Sequence, residues 1–431
     1  MIRDAMNELI SWKNSPNRKP LLLRGARQVG KTWLMREFGR IHYGRVAYIN
    51  FDSNERMRNL FEGDYDIGRI VHGLEIEAGT AIDPGKTLVI FDEVQEVPKA
   101  LSSLKYFFEN APQYQILAAG SLLGVALHQG TSFPVGKIDF LDLFPLSFIE
   151  FLTALGEKDL LNLLEKKDWL LIKTFGDKYA DLLKHYYFVG GMPEAVASFI
   201  KKRDFHEIRD IQQKILFAYD QDFSKHVPPA LVPKIRMLWN SIPAQLGREN
   251  RKFVYGLVRQ GARAREYELA LAWLCDYGVA ARVYRVTKPA LPLKAYEDMA
   301  AFKLFSVDVG LLGAQSGLDV KTILERNDIF EEFKGALTEQ YVFGELRTKK
   351  DLPVFYWSAE RGSSEIDFVI QRGAQIIPVE VKAAENLHAK SLKAFRQKYQ
   401  PELSIRASMS GYRDEGWLVN IPLYGLSTIG S

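Results

Sequence analysis

A chain of 431 residues exceeds what one hydrophobic core usually organises, so two to four domains are expected. Hydrophobic residues make up 47% and charged residues 26%, ordinary globular usage that excludes a disordered, collagen-like or coiled-coil chain. The 57 basic residues against 53 acidic ones leave a formal charge of +4, so small an excess that a polyanionic partner has to be argued from local stretches.

The single cysteine, Cys275, excludes a disulfide framework and a cysteine-rich metal site and suits a reducing cytoplasm. Met1 to Glu8 shows no basic start followed by an apolar core, and no run of about 18 apolar residues occurs. A cytoplasmic chain with no membrane partner is expected. From Pro20 to about Pro145, short apolar runs alternate with helical stretches, as in a parallel sheet wrapped by helices. The runs are Leu21 to Leu23, Val46 to Asn50, Thr87 to Phe91 and Tyr114 to Ala118. After Pro145, leucine, lysine and glutamate recur at helical spacing through Leu160 to Leu164 and Trp169 to Ile172, which predicts a helical lid.

Pro228, Pro229 and Pro233 are read as a break, with a boundary near residue 227. An amphipathic helix from Arg265 to Leu274 then ends at Asp276 to Val279 and gives way to the strand Ala280 to Val286, a winged-helix-like pattern. The last unit begins near Asp319, with a helix over Phe333 to Leu346 and strands over Val354 to Trp357, Glu365 to Ile370 and Ile376 to Val381. Four domains are therefore expected, over residues 1–145, 146–226, 227–318 and 319–431.

Gly25, Ala26, Arg27, Gln28, Val29, Gly30, Lys31 and Thr32 follow the first apolar strand and open the helix Trp33 to Phe38. In that context the pattern is a P-loop: the glycines let successive N–H groups face one concavity, and the helix N-terminus adds partial positive charge. Lys31 is expected to reach the β- and γ-phosphates of ATP, and Thr32 to ligate Mg²⁺. The strand Thr87 to Phe91 ends in Asp92 and Glu93, where a parallel sheet exposes its tips. Asp92 is expected to hold Mg²⁺ through water, and Glu93 to act as general base. Ser121, ending the next strand, either senses the γ-phosphate or caps a helix.

With the P-loop, Asp92 and Glu93, Phe140 to Glu150, Gly190 to Glu194, Asp298 to Leu312, and Phe330 to Lys382, the chain resembles a prokaryotic AAA+ family that carries a C-terminal domain of unknown function numbered 4143. The resemblance runs from about Met1 to about Tyr399. It implies a P-loop AAA+ α/β core and, in many members, an appended restriction-nuclease-like fold. An arginine finger from a neighbouring subunit is usual in AAA+ proteins. Here Pro134 to Lys137 offers only Lys137, either a substitute point charge or a solvated surface residue. A homo-oligomer is compatible with the sequence without being required by it. Gly190 and Gly191 are read as a helix terminator in preference to a hinge.

Asp367 to Lys382 reads as two strands around a turn at Gly373 and Ala374, which sets Asp367 opposite Glu380 and puts Lys382 on the face of Glu380. Like charges facing across strands destabilise a sheet unless something bridges them, and a divalent metal would do so. The layout resembles the restriction-nuclease-like superfamily, with Glu339 on the preceding helix completing its pattern. That resemblance implies Mg²⁺ on Asp367 and Glu380, support from Glu339, and water activation by Lys382, with Glu365 a competing ligand. The alternatives are an amphipathic edge hairpin with charges on its wet face, or a binding platform without activity.

Arg248, Arg251, Lys252, Arg259, Arg263 and Arg265, with Tyr255 and Tyr267 between them, and Arg347 to Lys350 are local basic excesses suited to DNA or to a solvated helix face. The favoured reading is an ATP- and Mg²⁺-dependent ATPase whose C-terminal half engages DNA. A nucleotide-gated DNA nuclease and a nucleotide-switched scaffold for a protein partner are the rivals.

Overall fold

A computed structural model describes residues 1–120, 136–248, 251–324, 331–359, 364–383 and 389–429. The chain divides into two compact units, Met1–Phe144 with Asp276–Val279, and Pro145–Cys275 with Ala280–Ser431.

The first unit is built on strands β1 (Leu21–Arg24), β2 (Arg45–Asn50), β3 (Thr87–Asp92), β4 (Gln115–Ala119) and β5 (Asp139–Asp142), all parallel in the order β2-β3-β4-β1-β5. β3 and β4 are buried at every position, which is why they read as continuous apolar runs with no alternation. Phe61, Ile70, Leu74, Leu104 and Phe107 from the helices Glu55–Glu62, Ile67–Ala78 and Pro98–Asn110 close over Ile49, Phe91 and Ile116. β5 is short and has an exposed face, so its apolar signal was too weak to mark it as a strand.

The second unit begins with helices. Phe148–Leu155 opens with a capping box in which Ser147 Oγ accepts the Glu150 N–H at 3.2 Å and Glu150 Oε2 accepts the Ser147 N–H at 3.0 Å. Helices Lys158–Lys166, Trp169–Thr174, Gly176–Val189, Pro193–Lys202 and Phe205–His226 follow. The break read at Pro228 to Pro233 separates this last helix from Val232–Leu246, and Pro233 sits in the first turn of that helix, where the missing N–H has no intrahelical partner to lose.

Strands β6 (Ala280–Val286) and β7 (Glu297–Ser306) pair antiparallel, and β6 also pairs with β8 (Val354–Ser358). The strand pair of the winged-helix-like pattern is thereby continuous with an eight-stranded mixed sheet. Its remaining strands are β9 (Glu365–Arg372), β10 (Gln375–Val381), β11 (Ser404–Ser408), β12 (Arg413–Asp414) and β13 (Leu418–Pro422), in the order β12-β13-β11-β10-β9-β8-β6-β7. β9 and β10 form the expected hairpin about Gly373 and Ala374, with Val379 opposite Phe368, a register that carries Glu380 to Asp367 at the next step. Trp357 meets Phe395 of the helix Lys390–Tyr399 edge-on at 5.2 Å, in a core with Val286, Ile366, Val369 and Leu418.

Three segments that look unrelated in the sequence lock together here. Gly190 ends the helix Gly176–Val189 as expected, with φ +71°. The Gly191 N–H donates to Asp308 Oδ2 at 2.6 Å, the Leu146 N–H donates to the Gly191 carbonyl at 2.7 Å, and Asp308 Oδ1 caps the helix Val309–Gln315 by accepting the Leu311 N–H at 2.9 Å. A Cβ on Gly191 would lie 2.2 Å from the Leu146 carbonyl oxygen. Gly191→Ala should therefore lower the unfolding free energy of this unit by more than about 3 kcal/mol. Gly344→Ala, in the helix Glu331–Arg347 with open space around the new methyl, should raise it by about 0.5–1 kcal/mol. Urea titration of the two variants checks both signs.

Candidate nucleotide site and C-terminal charge cluster

The phosphate loop joins β1 to the helix Lys31–His42. Gly25 has φ +146°, and a Cβ there would lie 2.2 Å from the Leu143 carbonyl oxygen, so no other residue fits the loop's start. Gln28 and Gly30 also take positive φ, which curls the loop, and the helix has no acidic residue in its first turn to oppose an anion.

Lys31 is 7% exposed, and its Nζ donates to the carbonyls of Gly25 at 2.8 Å and Ala26 at 2.9 Å. Burial lowers its pKa to about 8, against the opposing pull of Glu93 and Asp92. The ammonium thus lies folded beneath the loop, bound to carbonyls, in a place where a phosphate would be a better partner.

Asp92 ends β3, buried. Its Oδ2 accepts Thr32 Oγ1 at 2.7 Å and the Tyr48 hydroxyl at 2.8 Å, and its Oδ1 accepts the Glu93 N–H at 3.1 Å. Thr32 and Asp92, the two residues expected at Mg²⁺, therefore touch, and one ion's ligand shell can include both. Glu93 holds φ +51°, a strained value for glutamate, at the strand tip. Gln95 Nε2 donates to Glu93 Oε2 at 2.7 Å. Ser121 lies outside the described residues. Lys137 pairs with Glu109 at 3.0 Å on the surface, its solvated-surface reading.

Tyr48 and Gln95 escape a reading of the sequence. Tyr48 acts through β2, whose Asn50 is the register partner of Asp92, so finding it requires knowing that β2 neighbours β3. The Arg36 guanidinium stacks over the Tyr48 ring at 4.0 Å and steadies it.

In the second unit, Glu339, Glu365, Asp367, Glu380 and Lys382 do converge, lining a cleft of about 200 Å³ together with Arg251. The expected metal cage meets a different arrangement. Lys303 of β7, fully buried, directs its Nζ into the carboxylates, 2.5 Å from Glu365, 3.4 Å from Glu339 and 3.8 Å from Asp367. Arg251 pairs with the other oxygen of Glu339, and Lys382 with Glu380 at 2.9 Å. Among the described residues no three His, Cys, Asp or Glu side chains are grouped so as to hold a metal ion. Burial favours the neutral Lys303 amine, but Glu339, Glu365 and Asp367 outweigh it and hold the ammonium above its usual range. Burial and Asp367 push Glu339 up; at Asp367, Lys303 and the hydrogen bond from Glu339 overcome burial and hold the carboxyl down. Burial raises Glu380 despite Lys382.

The basic stretches are partly spent inside the fold. Arg251 serves Glu339, Tyr267 is a core residue, and the Tyr255 hydroxyl bonds Glu268. Arg347 bonds the Val307 carbonyl and Lys349 the Ser427 carbonyl. Arg248, Lys252, Arg259, Arg263 and Arg265 remain exposed. No described helix is long and apolar enough to cross a membrane.

Residues 17–152 match the family model of an AAA domain, 180–322 that of a domain of unknown function (DUF8612), and 334–424 that of another (DUF4143). No curated protein matches the sequence significantly. Among solved structures, the chain is similar to the Aeropyrum pernix Orc1 protein in complex with DNA, at 13% identity over 74% of this chain and 93% of that one, with a TM-score of 0.29. It is also similar to AMPPCP-bound DnaA from Aquifex aeolicus, at 15% identity over 63% and 88%, with a TM-score of 0.28. A third is C. elegans PCH-2, at 16% identity over 37% and 46%, with a TM-score of 0.22. With the parallel sheet, the loop and the acidic strand tip in their places, the chain carries an AAA domain over residues 17–152 and a C-terminal DUF4143 domain over residues 334–424.

Proposed function

We propose that the chain hydrolyses ATP with Mg²⁺ at the tip of the parallel sheet, and that its C-terminal half engages DNA. The observation that carries the first part is the 2.7 Å contact between Thr32 and Asp92 beside a buried Lys31. Thr32 and Asp92 would hold Mg²⁺, which when bound supplies neutralisation of the β- and γ-phosphate oxygens. Lys31 exchanges two carbonyls for those oxygens. Glu93 orients and deprotonates the attacking water, with Gln95 Nε2 bonded to one of its oxygens at 2.7 Å.

The DNA reading is supported by the exposed cations Arg248, Lys252, Arg259, Arg263 and Arg265, near the helix Ala264–Asp276 of the winged-helix-like pattern over 227–318. We assign them to phosphate contacts, which give affinity without base sequence. A surface serving a protein partner would instead bind without steep salt dependence.

Lys31→Ala should abolish turnover in a steady-state ATPase assay. Glu93→Gln should keep nucleotide affinity and lose turnover by about 10²–10⁴-fold. Unimpaired hydrolysis in either variant would remove the residue from its role. Free Lys31 sheds its proton near pH 8, while phosphates favour the ammonium. Nucleotide affinity should therefore weaken as pH rises through about 8, by up to about tenfold per unit, with proton uptake on binding above that pH. Calorimetry in buffers of different ionisation heat measures that uptake. For DNA, replacing Arg259, Arg263 and Arg265 together by Ala should reduce the slope of log affinity against log salt by roughly 2 to 3. A chain that binds no duplex, or binds it independently of salt, points to a protein partner.

A further inference from the structure

The C-terminal cluster has the residue types of a metal-dependent nuclease and a different centre. Glu339 stands on the helix Glu331–Arg347, Glu365 and Asp367 on β9, and Glu380 near the end of β10. A divalent ion joining them would sit where their oxygens converge, with ligands at about 2.0–2.1 Å for Mg²⁺. That point is taken by Lys303 Nζ, within 3.8 Å of an oxygen from each of Glu339, Glu365 and Asp367.

The remaining oxygens are largely engaged too. Arg251 takes Glu339 Oε1, the Val381 N–H donates to Asp367 Oδ2 at 2.7 Å, and Lys382 Nζ lies 2.9 Å from Glu380 Oε1. Glu380 Oε2 is buried without a hydrogen-bond partner, but one oxygen does not hold a hard divalent cation. Lys303 is 0% exposed, so moving its ammonium off these carboxylates within the fold would leave an unmatched buried charge. Three carboxylates against Lys303 and Arg251 also leave at most one net negative charge, too little to draw a dication from its hydration shell.

We propose that the Lys303 ammonium is a permanent internal cation standing in place of a divalent metal. The cluster is then a structural tie between β7, β9 and the helix Glu331–Arg347 and not a metal centre for phosphodiester cleavage. This goes beyond the ATPase reading and does not depend on it.

Manganese binding to the full, nucleotide-free chain tests the proposal, with free Mn²⁺ followed by electron paramagnetic resonance. The wild type should show no Mn²⁺ site that Asp367→Asn removes. Lys303→Met, of similar length and uncharged, should unfold at lower temperature than wild type and gain one Mn²⁺ site, at least tenfold tighter than any wild-type binding at the cluster. Adding Asp367→Asn should remove that site, and Mn²⁺ should raise the unfolding temperature of Lys303→Met alone. A wild-type Mn²⁺ site abolished by Asp367→Asn overturns the proposal, as does a folded Lys303→Met chain without a new site. If Lys303→Met does not fold, the wild-type comparison with Asp367→Asn still decides, and Lys303→Gln replaces it in the gain-of-site arm.

Discussion

The ammonium of Lys303, shut away from water against three carboxylates, is the interaction on which the second unit depends. A buried charge is tolerated only where other charges and hydrogen bonds match it, and removing one partner costs far more than the pair contributes. β7, β9 and the helix Glu331–Arg347 each bring a charged side chain to that point. Lys31 is the instructive contrast. It is buried nearly as deeply, but its nearest partners are two carbonyls and its pKa falls. Lys303 has its anions within the chain, whereas Lys31 rests on neutral carbonyls, the setting our proposal uses for anions from outside. The same side chain is lowered in pKa in one setting and raised in the other, and the balance of desolvation against local charge decides which.

The Asp308 contacts give a second physical meaning to family-like motifs. Leu146, Gly191 and Asp308 belong to three stretches that the resemblance singles out, and they meet in one hydrogen-bonded lock. Gly191 must be glycine because the Leu146 carbonyl occupies the space of a side chain. Motif residues of this kind carry architecture, whereas the chemistry we propose rests with other residues: Lys31, Thr32, Asp92 and Glu93 at one sheet tip.

The sequence by itself determined what is local. The P-loop, the acidic strand end, the buried strands of the first sheet, the helix Glu331–Arg347 and the β9–β10 hairpin with its two-residue turn all follow from short-range patterns. Each depends on backbone conformation or on side-chain periodicity within about ten residues. The break at Pro228 to Pro233 is local in the same way, since one helix ends at His226 and Pro233 opens the next in its first turn. The tertiary structure alone decided which charges meet. Nothing near Lys303 in the sequence announces Glu339, Glu365 or Asp367, just as nothing near Tyr48 announces Asp92, because those pairings arise from strand order and helix packing. The sequence thus placed Glu365, Asp367 and Glu380 on one hairpin in a pattern suited to a metal, and the fold supplied a lysine from a distant strand against Glu365 and Asp367, since an ionised cluster withdrawn from water has to find its counter-charge within the chain.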